Sequence, residues 1–271
     1  MPNLSMMLDH PAWVTAEDGR AARACRVGGS VFSIVCTPRG SGHAVETVRV
    51  AGDSTVRPVV DIVDPATVKA PGALVDPLRL DGPVGRLRNP DVWEALATST
   101  VRQVIRAGQA RKLYRGFCQA HGEQVDTVAG SVPLFPTAET VLALPDDEFA
   151  RLGMKFFRGA LRAGAEAYLK FGDDWAALPA GLLVVELQTV KRIGPWSAGA
   201  TVADLTNDFS LYPYSDLAVR TWAARLAPSI EWAEAERDFA KQWRSLVGDG
   251  LSELTLLTLA WGARHATGVA I

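Results

Sequence analysis

The chain is organised around one short run, Ile193-Gly194-Pro195, within the stretch Leu187 to Asp216. Apolar residues from Leu182 to Thr189 predict a helix that meets a tight turn at Ile193-Gly194. Proline holds its φ near the helical value and has no amide to leave unpaired, so Pro195 suits the first position of a new helix. The expectation is two helices joined by a glycine hairpin.

A helix that starts at such a turn points its first amides outward from the positive end of its dipole. Around Gly194, Trp196 and Ser197 those amides make a socket for an anion, flanked by Lys191 and Arg192. A nucleic-acid phosphate fits this chemistry, gripped without any base being read. With a net charge of −2, such a surface has to be local rather than part of a general basic field.

The pattern Ile193-Gly194-Pro195-Trp196-Ser197-Ala198, followed by Tyr212-Pro213-Tyr214-Ser215-Asp216-Leu217-Ala218-Val219-Arg220, resembles the helix-hairpin-helix DNA glycosylase superfamily. The distance along the chain from Gly194 to Asp216 fits the 3-methyladenine DNA glycosylase II type. The resemblance implies a monofunctional DNA glycosylase that flips an alkylated, 3-methyladenine-like base out of double-stranded DNA and hydrolyses its N-glycosidic bond. Two other readings stand beside it: a non-catalytic helix-hairpin-helix DNA-binding protein, and a glycosylase for another damaged base.

The family's aspartate corresponds to Asp216. Breaking an N-glycosidic bond leaves positive charge on the sugar, which a fixed carboxylate stabilises while it orients or deprotonates the attacking water. A base already cationic by alkylation has little need of an acid. Taken without the hairpin, Asp216 reads as a helix-start residue, with Ser215 capping a helix from Leu217 to Leu226. Trp196 stands where lyase-active relatives carry a Schiff-base lysine, so the resemblance implies hydrolysis without lyase activity. Its indole either stacks on the extruded base or anchors two helices. Tyr212, Tyr214 and Trp261 are the other candidates for an aromatic base pocket, against plain loop or core packing.

Arg102-Gln103-Val104 partly matches the family's Gln-Gln pair before a hydrophobic wedge. Gln103 is a candidate to fill the gap left by a flipped nucleotide and Val104 to enter the stack, while Val101, Val104 and Ile105 also read as ordinary core. Arg192 replaces a family glycine and Ser215 a frequent acid. By the same resemblance, the backbone carbonyls of Gln188, Val190 and Ile193 would hold a structural Na+ or K+, with no other cofactor required.

With 271 residues and 48% apolar content, the chain can bury a substantial core. The fold expected is α+β: a β-rich N-terminal domain over residues 1–88, then an all-α helix-hairpin-helix core over 89–271. Arg23 to Val27, Val31 to Cys36, His43 to Val50 and Thr55 to Val63 read as strands of an antiparallel sheet. Pro65 to Pro90 reads as an ordered connection, and helices begin after it. These are Asp91 to Ala97, Ser99 to Tyr114, one from Ser229 through Arg244, and Leu251 to Ala266; Thr137 and Asp146 look like caps. Cys25, Cys36 and Cys118 are scattered, which points to a reducing compartment and away from zinc or an iron–sulfur cluster. No chemistry is assigned to His10, His43 or His265. The expectation is a monomer in the cytoplasm, associated with the nucleoid and not with membrane.

Overall fold

The computed structural model describes residues 4–265. Its first strands are β1 (Ser5–Met6), β2 (Val14–Thr15), β3 (Ala21–Val27), β4 (Ser30–Arg39) and β5 (Gly42–Ala51). After these come β6 (Val60–Val63), α1 (Gly72–Asp81) and β7 (Val84–Leu87). Strands β2 to β5 make the expected antiparallel sheet, in sequence order. A second sheet, unexpected, has the order β1-β7-β6, with β1 parallel to β7 and Ser5 opposite Val84. The run expected as a strand from Thr55 is one only from Val60 onward, because Pro58 interrupts it and has no amide for a ladder.

The helical part follows with α2 (Val92–Arg102) and α3 (Ala107–His121), then a hairpin of β8 (Gln124–Thr127) and β9 (Gly130–Pro133). Eight further helices complete it: α4 (Ala138–Ala143), α5 (Asp146–Arg151), α6 (Arg158–Ala177), α7 (Ala180–Leu187), α8 (Pro195–Thr206), α9 (Leu217–Leu226), α10 (Glu236–Val247) and α11 (Leu251–His265). The architecture is α+β, as expected. Ala266, the expected end of the last helix, lies outside the described residues.

Helix α2 is the centre of the core. Asp91 caps it, accepting from the amides of Trp93 at 2.9 Å and Glu94 at 3.2 Å. Every residue from Trp93 to Val101 is buried, so it has no solvent face and must be wrapped by other elements, here α3, α6 and α8. The helix expected from Ser99 to Tyr114 is broken after Arg102, because Val104 takes a φ of +56° that no helix contains.

Caps expected elsewhere are met in part. Thr137 caps α4 by accepting from the Thr140 amide at 3.2 Å. Asp146 does not cap, since Pro145 holds that position and the Asp146 carboxylate is taken by Arg158 and by Arg162 at 2.7 Å. No helix opens at Ser229. The Gln242 side chain instead ties down a loop, accepting from the Ala233 amide at 2.9 Å and donating to the Glu231 carbonyl at 2.7 Å, and α10 starts at Glu236.

A buried polar knot joins the sheets to the helices. Asp204 of α8 accepts from Arg86 of β7 at 2.5 Å and from the Asn89 amide at 2.9 Å. Close by, Arg23 of β3 donates to Glu94 of α2 at 3.1 Å, and Tyr114 donates to the same oxygen at 2.9 Å. Burial works against charge on Asp204; Arg86, Arg23 and Asn89 oppose it, and the carboxyl ends below the usual range. The His10 ring, 3.5 Å from Asp204, is itself driven well below its ordinary value by burial and then by Arg23. It is therefore a neutral ring, and the guanidinia neutralise Asp204.

This fixes a sign. His10 stays uncharged in the folded chain, whereas the unfolded chain binds a proton below about pH 6.5, so stability must fall as pH drops through that value. His43 is lowered in the same direction, first by burial, and adds to the effect. Denaturant titrations between about pH 7 and about pH 5 should show this loss, and His10→Gln should flatten it. An unchanged slope in the variant would mean that His10 is not the group that titrates.

Candidate active site

Helix α8 begins as its sequence dictates, with Gly194 at the cap and Pro195 first in the helix. Gly194 offers no capping side chain, and the first amide that closes a helical bond is that of Ala198, to the Gly194 carbonyl at 3.0 Å. The Trp196 and Ser197 amides, the first on a half-buried residue and the second on a buried one, donate to no backbone carbonyl at the positive end of the helix. Lys191 and Arg192 are exposed beside them, and Ile193 is buried in the turn. Arg192 has a φ of +71°, the left-handed region that a glycine occupies without strain. Its guanidinium lies along Gly159 of α6, where an added Cβ would stand 3.2 Å from Nε.

Two contacts tie the hairpin to its surroundings. The Ser197 hydroxyl donates to Gln103 Oε1 at 3.2 Å, which links the start of α8 to the end of α2. Immediately after Gln103, Val104 is 80% exposed with its positive φ. A β-branched residue gains nothing from either condition. Further along α8, Gly199 touches the loop that leads to Asp216; a Cβ there would lie 2.5 Å from the Leu211 carbonyl oxygen. Leu211 also packs into the apolar cluster that contains Ile193 and Ala198.

Asp216 is the cap residue of α9, yet its side chain makes no capping bond. It is half-buried, and its Oδ2 accepts from the Tyr212 hydroxyl at 2.8 Å. Ser215 does not cap either, because its hydroxyl goes to Glu236 at 3.0 Å. Burial, and then the charge of Asp216, push the Tyr212 phenol well above its ordinary value, so it remains a donor. Arg102, half-buried at the end of α2, stands 3.9 Å from Asp9. Burial opposes its charge, but Asp9, Asp204 and Asp216 outweigh that and hold it protonated.

No protein-family model and no curated protein matches the sequence. Solved structures do match its shape. The 3-methyladenine DNA glycosylase from Archaeoglobus fulgidus is 19% identical, with a TM-score of 0.66 over 96% of this chain and 91% of that one. The 8-oxoguanine glycosylase/lyase of Clostridium acetobutylicum, in complex with double-stranded DNA containing cytosine opposite 8-oxoguanine, is 15% identical. Its TM-score is 0.68 over 96% of this chain and 90% of that one. The chain has the helix-hairpin-helix DNA glycosylase fold.

Within that glycosylase fold Tyr212 belongs to an apolar cluster against which Tyr214 and Trp261 also pack, whereas Trp196 stands outside it. Trp196 is half-buried and belongs to none of the apolar clusters among the described residues. Tyr212 is 7% exposed, its ring against Phe209 at 5.5 Å. An extended loop would place Tyr214 on the side of Asp216, but the chain turns at Pro213, where the Tyr214 amide donates to the Tyr212 carbonyl at 2.7 Å. Tyr214 instead lies under the Arg244 guanidinium of α10. Trp261 stacks on His265 at 4.6 Å, meets Trp222 edge-on and lines a hollow with Leu78, Asp81 and Arg264. Those contacts tie it to α1 and α9.

The sequence gives no sign of Asp9 and names Arg102 only beside Gln103, and only the fold brings the two near Tyr212. Phe156, which in sequence reads as a packing residue of the turn before α6, is 66% exposed and lies three residues before the glycine on which Arg192 rests. The Lys155-Phe156-Phe157 run was its one visible signal.

Arg192 trades backbone strain for a charge. Arg192→Gly should raise stability by about 1 kcal/mol, read as a higher Tm, and lower the slope of log affinity for duplex DNA against log salt by about 1. A variant that loses stability and keeps the slope would show that the guanidinium serves packing alone.

Proposed function

We propose that this chain is a monofunctional DNA glycosylase that excises an alkylated base from double-stranded DNA by hydrolysis. The observation that carries the reading is the Asp216 carboxylate. It is half-buried, free of any capping duty and held by a single phenol at 2.8 Å, on a loop in contact with the hairpin helix. A carboxylate so placed is available for charge that develops on a sugar.

The hairpin supplies the grip. The Trp196 and Ser197 amides take a phosphate, with Lys191 and Arg192 adding charge and the Ile193-Gly194 turn giving the backbone close approach. Val104, exposed and strained, is the wedge that enters the base stack, and Gln103 stands at its base, fixed by Ser197. Trp196 provides an indole face to the extruded base. The same turn offers carbonyls for a monovalent cation, Na+ or K+. Val190 accepts one backbone bond, from Ile193, and Gln188 and Ile193 accept none among the described residues. Such a cation would strengthen the hold on the phosphate.

The charges around the phenol bear on the substrate. Asp216 and Asp9 set carboxylates around the phenol, opposed by the Arg102 guanidinium, and a carboxylate beside the reacting sugar suits a base made cationic by alkylation. Departure of that base takes the glycosidic electron pair and neutralises its charge, so no acid is called for. Trp196 has no amine, so water is the nucleophile and the product is an abasic site in an uncut strand. The protein acts as a monomer on duplex DNA. Among the described residues no helix is long and apolar enough to cross a membrane.

The test is release of base from methylated duplex DNA, with the product identified by chromatography. The wild type should release methylated purine and leave the strand intact until alkali is added, and Asp216→Asn should be at least about a hundredfold slower with DNA affinity preserved. Intact affinity without release by the wild type would leave a DNA-binding protein. Cleavage without alkali would contradict the hydrolytic assignment.

A further inference from the structure

Tyr212 donates its hydroxyl to one oxygen of Asp216 and turns little of its ring to solvent. The rest of the side chain is fixed from below: the ring lies on Phe209, and Phe209 in turn carries the Arg86 guanidinium at 5.0 Å. The Phe209 amide is held by the Ser252 hydroxyl at 2.9 Å. The phenol is thus the upper end of a rigid stack that runs down into the buried polar knot.

From this geometry we infer that Tyr212 is a positioning residue for the proposed reaction, rather than a wall of the base pocket: it immobilises the Asp216 carboxylate through Oδ2 and leaves Oδ1 for the sugar and water. The inference rests on the glycosylase reading above. A carboxylate on a loop has free rotation about its last bond, and one strong hydrogen bond to a fixed donor removes it. In the hydrolysis the water oxygen bonds to the anomeric carbon, and the glycosidic electron pair leaves with the base. The water proton passes to Oδ1. The phenol keeps its own proton throughout, because Asp216 and burial both oppose its loss.

Tyr212→Phe keeps the ring and removes the donor. Under single-turnover conditions with methylated duplex, the excision rate should fall roughly ten- to a hundredfold. The KM and the affinity for a duplex holding a non-cleavable abasic analogue should not change. A raised KM at full rate would assign Tyr212 to base contact, and a full rate with unchanged KM would remove it from the reaction; either overturns the inference. A wild type that releases no base would instead overturn the function it rests on.

A second measurement needs no activity. The chain has four tyrosines, so tyrosine labelled with 13C at Cζ gives a short spectrum. Asp216→Asn should shift the Tyr212 resonance, identified by its loss in Tyr212→Phe, and should bring its titration to lower pH. A Tyr212 resonance and titration indifferent to Asp216→Asn would show that the two groups are not coupled in solution.

Discussion

The placement of the hairpin depends on one buried carboxylate. Asp204, near the far end of the helix that Pro195 begins, is held by Arg86 from a strand and Asn89 from the segment before α2, with His10 from the N-terminal residues alongside. A buried charge with partners fixed on several elements tolerates little displacement, since loss of a partner costs about 3–5 kcal/mol. The sheets therefore do more than cover the helices. They hold α8 at a set angle, and the angle of α8 determines where its free amides point.

From that helix two lines of contact run to the chemistry. Through Ser197 and Gln103, α8 meets the end of α2, where Val104 protrudes and Arg102 faces Asp9. Through Gly199 it meets the Leu211 carbonyl and so the loop that carries Tyr212 and Asp216. Grip, wedge and acid in the proposed enzyme are thus separate side chains on separate elements, brought into register by one helix. Both unusual backbone positions near the site, Val104 and Arg192, belong to the parts proposed to touch DNA. Strain retained at such positions is consistent with a surface shaped for a ligand rather than for stability alone.

Much of this was legible in the sequence because it is local. Pro195 fixes where α8 begins, and the proline-bounded loop before Leu217 fixes where α9 begins, so the hairpin and the place of Asp216 follow from residue chemistry. What was not legible depends on contacts distant in sequence. The β1–β7 pairing joins residues about as far apart as Ser5 and Val84 and has no turn to announce it. The β8–β9 hairpin is too short to show alternation, with Val125 and Val132 its only buried positions. Apolar spacing makes Val104 a core residue beside its reading as a wedge, and spacing cannot foresee a β-branched residue at positive φ. Tyr214 was placed by alternation along an extended loop, and a single turn at Pro213 removed the premise.

A crystal structure of the protein on a duplex that holds a non-cleavable abasic analogue bears most directly on the central claim, that one helix start and one carboxylate act on the same nucleotide. The account predicts the Trp196 and Ser197 amides on a backbone phosphate beside the analogue, with the free oxygen of Asp216 facing its anomeric position. Duplex bound on another face, or an analogue out of reach of Asp216 while the hairpin holds its phosphate, would contradict it.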